Sequence, residues 1–242
     1  KGLSSTETIT KTVDTQPWRK KGERKDRTTK EVTLPRVQII DPAVGTATFL
    51  NETIKFIYEG FKGQEGQWAS YANNNLLERI HGFELMMAPY TIAHLKLGMT
   101  LRELGVRDLT TRLGVYLTNT LEPGDEVKVD IFSALGLAGA VSEESRLAAI
   151  VKNETPVMVV IGNPPYSGVS SNETPYANSL INKYKVEPGG KQKLQERKHW
   201  LNDDYVKFIA FAEDMIAKND GGGVVAMITN NGYLDNPTFR GM

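Results

Sequence analysis

The sequence alternates short apolar runs with longer amphipathic segments, and this alternation constrains the fold more than any other feature. The apolar runs, which we predict to be strands, lie at residues 37–40, 76–84, 115–117, 157–161 and 223–229. Helical patterns follow the first four of them, at residues 47–60, 88–104, 142–153 and 203–218. Strands that alternate with helices form a parallel sheet with helices on both faces. The sequence therefore predicts an α/β fold with a doubly wound, mostly parallel sheet.

The composition limits the class of protein. The 242 residues suit one large α/β domain, and the sequence contains no run of about 18 apolar residues that predicts a membrane span. Cysteine is absent, which excludes disulfides and thiolate metal sites and agrees with a cytoplasmic location. The formal net charge is zero. A surface that binds nucleic acid must therefore be local, because the bulk charge does not attract phosphate.

Charge and polarity divide the chain into two parts. Residues 1–36 carry ten Lys or Arg and five Asp or Glu and few large apolar side chains. We predict that they form a basic lead-in, exposed or partly disordered. The main domain is expected at residues 37–242, and residues 167–202 within it show little apolar periodicity. We interpret residues 167–202 as an insertion, since loops longer than about 12–15 residues are usually functional or disordered.

The loop after the first predicted strand is typical of a nucleotide-like cofactor site. An acidic residue ends the strand and small residues lead into a helix; the loop contains Asp41, Pro42, Ala43, Val44, Gly45 and Thr46. Glycine lets the backbone approach a ligand, and N–H groups at a helix start donate hydrogen bonds. A cofactor with an amino-acid moiety would find a carboxylate for its ammonium and N–H donors for its own carboxylate. An ordinary strand-to-helix turn explains the loop alone equally well.

The second predicted strand ends at Glu84. A carboxylate at this place can accept hydrogen bonds from both hydroxyls of a ribose, as the acidic residue of dinucleotide-binding folds does. Considered in isolation, Glu84 is better explained as a solvated glutamate at a strand end.

The most specific motif is Asn163-Pro164-Pro165-Tyr166, which follows the fourth predicted strand. Two prolines make a stiff segment that presents carbonyl oxygens, because proline has a fixed φ and no N–H. The Asn163 side-chain oxygen and the Pro164 carbonyl can accept both hydrogens of a planar amino group. Tyr166 can stack on the ring that carries this amine, a contact worth about 1–3 kcal/mol per base. The alternative is a rigid turn after a buried strand.

Together these motifs resemble those of the N6-adenine DNA methyltransferases of restriction–modification systems. The resemblance is strongest to large single-chain enzymes that fuse a methyltransferase core to nuclease, helicase or target-recognition parts. Residues 41–50 are similar to the first cofactor motif, Glu84 to the ribose-binding acid, and Asn163 to Tyr166 to the catalytic tetrapeptide. Residues 204–208 and 223–233 are similar to later structural motifs of the family.

The resemblance implies a Rossmann-like methyltransferase fold that uses S-adenosyl-L-methionine and no metal. Its substrate would be double-stranded DNA with a flipped adenine. Asn119, at the third strand end, stands where many relatives place an acid against the adenine of the cofactor, and Ala47 replaces a usual glycine, which adds a methyl group near the cofactor. Residues 37–242 would then be an incomplete catalytic domain. Target-recognition parts, and nuclease or helicase parts, are expected elsewhere in the same polypeptide.

Two other functions agree with the same motifs. The tetrapeptide serves any planar amide or amine, so a protein glutamine N5-methyltransferase is one alternative. A catalytically inactive fragment that binds DNA or assembles a complex is the other. Residues 203–233 favour DNA as the substrate. Residues 181–200 carry a local excess of positive charge, which either contacts DNA phosphates or belongs to a solvated loop.

Overall fold

The computed structural model describes residues 6–15, 29–124, 138–167, 170, 172–190, 192–195, 198–219 and 221–242. Two strands, β1 (Thr8–Asp14) and β2 (Thr29–Pro35), pair in antiparallel orientation. Five others form a parallel sheet: β3 (Gln38–Asp41), β4 (Ile80–Glu84), β5 (Val115–Leu117), β6 (Val157–Gly162) and β7 (Val224–Met227). Their order across the sheet is β5-β4-β3-β6-β7. This arrangement confirms the predicted parallel sheet and its five strands.

The strand order places a crevice at the centre of the sheet. The chain runs outward from β3 to β4 and β5, and then returns to β6 on the other side of β3. The carboxyl ends of β3 and β6 are therefore neighbours at the point where the direction of winding reverses. Ligands of open α/β sheets bind at this switch point. The Asp41 loop and the Asn163 tetrapeptide follow these two strands.

Helices cover both faces of the sheet. They are α1 (Thr48–Glu59), α2 (Trp68–Tyr71), α3 (Met87–Glu103), α4 (Ala138–Glu154), α5 (Pro175–Asn182), α6 (Asp204–Ala217) and α7 (Gly232–Asp235). Because successive side chains of a strand point to opposite faces, Ile39 packs with the core of α1 and α3, while Ile40 packs with the core of α4, α5 and α6. The sheet is thus doubly wound, as predicted.

Local sequence explains where the helices form. Leu50, Ile54 and Ile57 lie on one face of α1 and are buried, and each such side chain stabilises the fold by about 1.5–3 kcal/mol. Helix α5 begins where the hydroxyl oxygen of Thr174 accepts a hydrogen bond from the N–H of Ala177, with a proline at its first position. Among the described residues, no helix is long and apolar enough to cross a membrane.

Several local structures were not predicted from the sequence, and one of them is helix α5, which lies within the expected insertion at residues 167–202. Strands β1 and β2 lie within the segment expected to be an exposed lead-in; most of their side chains are exposed or half-buried, but Val13 and Asp14 are buried. The Lys11 ammonium donates to the carbonyl of Glu154, which joins β1 to the end of α4. Residues 1–5 and 16–28 of the expected lead-in lie outside the described residues.

A further unpredicted structure lies at residues 62–75, where the polar, Gln- and Asn-rich sequence predicts a loop. It is a series of helical turns, a 3-10 turn at Glu65–Gln67, the short helix α2 and a π-helical turn at Ala72–Leu76. Trp68 and Tyr71 anchor these turns in the core and pack with Tyr58 and Phe61. Packing of this aromatic cluster stabilises the helical turns despite the polar composition of the segment.

Candidate active site

Asp41 occupies the carboxyl end of β3 and is fully buried. Its Oδ1 accepts a hydrogen bond from the backbone N–H of Ala43 at 3.1 Å, whereas Oδ2 is buried without a hydrogen-bond partner in the described structure. Burial raises the pKa of Asp41 to about 7. The hydrogen bond from the Ala43 N–H acts in the opposite direction and lowers the pKa, whereas the nearby Glu84 contributes to the increase. Gly162 of β6 leaves room for this carboxylate, because a Cβ there would lie 2.6 Å from Oδ1.

Glu84 joins the first loop to the end of β4. Its Oε2 accepts from the N–H of Gly45 at 3.0 Å, and its Oε1 accepts from the N–H of Met86 at 2.8 Å. Gly45 has a φ of 53°, and a Cβ placed on it would meet nothing within 4 Å. The loop therefore leaves open space beside a carboxylate that still has unused lone pairs.

Ala47 adopts a left-handed conformation with φ 60° at the start of α1. Glycine tolerates this conformation best, because the Cβ of other residues approaches the following carbonyl oxygen. The sequence led us to expect the Ala47 methyl group near the cofactor. In the structure this methyl group is buried in the core beside α1, so it does not narrow the open side of the loop.

The loop after β5 lies against the end of β4 and the loop after β3. The N–H of Thr118 donates to the Glu84 carbonyl at 2.7 Å, and the Thr120 hydroxyl donates to the carbonyl of Pro42. Asn119 accepts from the N–H of Leu121 through Oδ1, and its Nδ2 donates to Oδ1 of Asn172 at 3.2 Å. The predicted residues Asp41, Pro42, Ala43, Gly45, Thr46, Glu84 and Asn119 are therefore brought together at one edge of the sheet.

The tetrapeptide after β6 lies on the other side of the crevice. Pro164 is buried, while Asn163, Pro165 and Tyr166 are exposed. The Tyr166 hydroxyl lies 2.7 Å from Asn163 Oδ1 and 2.7 Å from the carbonyl oxygen of Ile228. Its one hydrogen is therefore shared between two acceptors, one of which is the oxygen expected to bind a substrate amine. The exposed ring of Tyr166 can accept a planar ligand.

Lys152 is a buried residue of α4 that the sequence analysis did not single out. Its ammonium donates to the carbonyl oxygens of Asn119 at 2.6 Å and Glu122 at 3.1 Å, and to the Thr118 hydroxyl at 3.3 Å. Burial lowers its pKa to about 7. A lysine within a helix carries no motif, so no signal in a single sequence distinguishes it from a solvated lysine.

Two histidines and one lysine of the basic stretch have hydrogen-bond or ion-pair partners within the fold. His81 is buried and hydrogen-bonds to Gln38 Oε1 at 2.8 Å, and His94 contacts the carbonyl of Val115. Across the described parts of the chain, no group of His, Cys, Asp and Glu could hold a metal ion. In the basic stretch, Lys183 is paired with Asp214 at 2.6 Å. Lys191, Arg197 and the Lys198 side chain lie outside the described structure.

The family model for N-6 DNA methylase matches residues 28–238. The chain belongs to the N-6 DNA methylase family. This membership confirms the predicted resemblance and the Rossmann-like methyltransferase fold, and it implies a methyl donor. No curated protein matches the sequence significantly.

Three solved structures resemble this N-6 DNA methylase domain. LlaBIII, an ATP-dependent Type ISP restriction-modification enzyme bound to DNA, has a TM-score of 0.65 and 26% identity; the match covers 85% of this chain and 13% of that chain. A nuclease-deletion mutant of the Type ISP enzyme LlaGI, in complex with a DNA substrate mimic, has a TM-score of 0.65 and 25% identity. This match covers 85% of this chain and 16% of that chain. The cryoEM structure of the DrdV–DNA complex has a TM-score of 0.61 and 30% identity, and the match covers 85% of this chain and 18% of that chain. The chain thus spans less than a fifth of each of these proteins.

Proposed function

We propose that this domain transfers a methyl group from S-adenosyl-L-methionine to the N6 amine of adenine in double-stranded DNA. We further propose that it serves a restriction–modification enzyme with target-recognition and nuclease or helicase parts. The supporting observation is that the Asp41 loop and the Asn163–Tyr166 tetrapeptide meet at the switch point of an N-6 DNA methylase fold. LlaBIII and LlaGI are restriction-modification enzymes described with DNA or a DNA mimic. The family favours DNA over a protein glutamine as the substrate.

The residues on the cofactor side fit S-adenosyl-L-methionine. The cofactor supplies an electrophilic methyl group when bound. Asp41 offers a buried carboxylate oxygen without a partner, which is costly unless a donor or cation compensates it. Glu84 keeps lone pairs for the ribose hydroxyls, and Asn119 stands where the adenine of the cofactor would bind. Open space at Gly45 gives the amino-acid moiety access to backbone N–H groups.

The residues on the target side hold the amine of the substrate. Asn163 Oδ1 and the carbonyl oxygen of Pro164 accept its two hydrogens, which keeps the nitrogen lone pair directed at the cofactor side. The Tyr166 hydroxyl occupies at most one of the two lone pairs of Asn163 Oδ1, so the other can accept from the amine; the Ile228 carbonyl is a second acceptor for the hydroxyl. Flipping the adenine out of the duplex costs a few kcal/mol, which stacking on the Tyr166 ring partly offsets.

Calorimetric titration with S-adenosyl-L-methionine tests the cofactor part of the proposal. We expect one binding site per chain, lost in Asp41→Ala and strongly weakened in the nearly isosteric Asp41→Asn. Circular dichroism of both variants checks that the sheet is intact. Absence of binding to a folded wild-type chain would contradict the proposal and support a non-catalytic domain.

The position of the transferred methyl group distinguishes the two enzyme activities. Incubation with methyl-labelled cofactor, duplex DNA and a mixture of proteins should place the label in DNA. Label confined to a protein glutamine would favour the alternative methyltransferase.

A further inference from the structure

Lys207 of α6 is a charged residue without any contact to the proposed catalytic groups, yet it is fully buried. A buried ammonium costs several kcal/mol unless it is paired and hydrogen-bonded. Its Nζ donates to Oγ of Ser170 and to the carbonyl oxygen of Asn172, both at 2.6 Å, and lies 3.9 Å from Oδ1 of Asp204. Two of its partners belong to the segment that follows the tetrapeptide.

The carboxylates at the start of α6 hold the same segment. Asp204 accepts hydrogen bonds from the hydroxyls of Ser167 and Ser170 and from Nδ2 of Asn172 at 3.2 Å. Asp203 Oδ1 accepts from the N–H of Ser167 at 3.2 Å. Ser167 follows Tyr166 directly, so these bonds fix the exit of the tetrapeptide. Ser170 donates to Asp204 and accepts from Lys207, so its hydroxyl bridges the buried ammonium and the carboxylate that compensates the charge.

Asn172 extends this network to the cofactor side. While its Nδ2 donates to Asp204, its Oδ1 accepts the hydrogen bond from Nδ2 of Asn119. One carboxamide therefore connects the loop after β5 with the segment after β6. These two segments carry the residues that we assign to the cofactor and to the target amine.

We propose that Asp204, Lys207 and Asn172 form a positioning unit that couples the cofactor loop at Asn119 to the tetrapeptide at Asn163–Tyr166. The inference rests on the proposed function, because the two sides are defined by it. None of the three residues touches the reacting atoms. Their effect is to keep two independent segments in one geometry, which matters because misplacing reacting groups by about 1 Å can cost about a hundredfold in rate.

A double-mutant cycle tests the coupling. Asn172→Ala should weaken binding of S-adenosylhomocysteine to the whole chain by about two- to tenfold, the range of one net hydrogen bond. The double variant with Asn119→Ala should bind no more weakly than Asn119→Ala alone, because both changes remove the same contact. Asn178→Ala is the matched control, since Asn178 lies on α5 and, in the described structure, its side chain donates only to the nearby Glu173 carbonyl.

The kinetics of methyl transfer to DNA provide the second readout. Lys207→Met should lower kcat about tenfold and change KM for the cofactor much less, because it loosens the target side first. If Lys207→Met does not fold, the double-mutant cycle of Asn119→Ala and Asn172→Ala is sufficient by itself to test the coupling. Multiplicative effects of Asn119→Ala and Asn172→Ala, or an Asn172→Ala variant that binds like Asn178→Ala, would overturn the coupling. Failure of the wild-type chain to bind S-adenosylhomocysteine would instead count against the proposed function.

Discussion

The hydroxyl of Tyr166 lies against the very oxygen that the proposed reaction needs. It shares its hydrogen between Asn163 Oδ1 and the Ile228 carbonyl, and its ring is about half exposed. The ring and the hydroxyl should therefore contribute differently. We expect the ring to stack on the substrate base, whereas the hydroxyl occupies one of the two lone pairs of Asn163 Oδ1.

We predict that Tyr166→Phe changes kcat/KM for DNA less than tenfold, because the stacking surface remains and Asn163 is freed. Tyr166→Ala should lower kcat/KM by more than tenfold, since base stacking is worth about 1–3 kcal/mol. Steady-state kinetics on one duplex measure both variants. Equal losses of kcat/KM in Tyr166→Phe and Tyr166→Ala would show that the hydroxyl, and not the ring, contributes to the reaction.

The raised pKa of Asp41 predicts a pH dependence of stability. Burial raises the pKa in the folded chain to about 7 from 3.8, so the folded chain binds the extra proton between these values. The stability that this proton contributes is fully present below pH 3.8 and is lost as pH rises to about 7. Urea unfolding across this range should show the decline in the wild type and a smaller decline in Asp41→Asn. The same decline in both proteins would assign it to other groups.

Helix α4 acts on the site through Lys152, which holds three acceptors of the loop after β5. We predict that Lys152→Met weakens cofactor binding about tenfold, because the loop loses its donors, while the free energy of unfolding changes little. Removing a buried charge offsets part of the lost hydrogen bonding. Calorimetry and urea unfolding measure the two effects separately.

The control for this prediction is Lys218→Met. Lys218 donates to the carbonyl of Lys152 at 2.7 Å, and it contacts α4 without reaching the loop. A loss of cofactor affinity in Lys218→Met equal to that of Lys152→Met would mean that general disturbance of α4, and not loop positioning, causes the effect.

The sequence predicted the elements that have a strong local signal. The five strands of the sheet and helices α1, α3, α4 and α6 follow from apolar periodicity, and their strand ends place Asp41, Glu84 and Asn163 in one crevice. It did not predict β1 and β2, whose Thr- and Lys-rich strands resemble a solvated segment. The helical turns near Trp68 were missed for a similar reason, because aromatic packing with distant residues, not local pattern, orders them.

The parts of the site that were missed depend on tertiary contacts. Lys152 and Lys207 are ordinary helix residues in the sequence, and only the fold shows that both are buried and aimed at loops. The position of the Ala47 methyl group likewise required the backbone angle of 60° to be known. Motifs thus predict the residues that would contact ligands, whereas the residues that position them appear only in three dimensions.

For the whole molecule, exposed apolar side chains lie towards both edges of the parallel sheet. Val224 and Val225 of β7 and the nearby Ile228 are exposed, as are Leu95 and Met99 on α3. The chain spans 13%, 16% and 18% of the three similar structures. Apolar surface of this kind is typical of contact sites.

We propose that these strand ends assemble a site for methylating adenine N6. The most direct test incubates the longest available form of the protein with duplex DNA and S-adenosyl-L-methionine carrying a deuterated methyl group, followed by mass spectrometry of the nucleosides. We predict deuterated N6-methyl-2′-deoxyadenosine from the DNA, reduced at least a hundredfold in Asn163→Ala, since removal of one preorganised hydrogen-bonding group at a reacting centre typically costs about 10²–10³ in kcat. Label on cytosine, on protein only, or undiminished in Asn163→Ala would contradict the account.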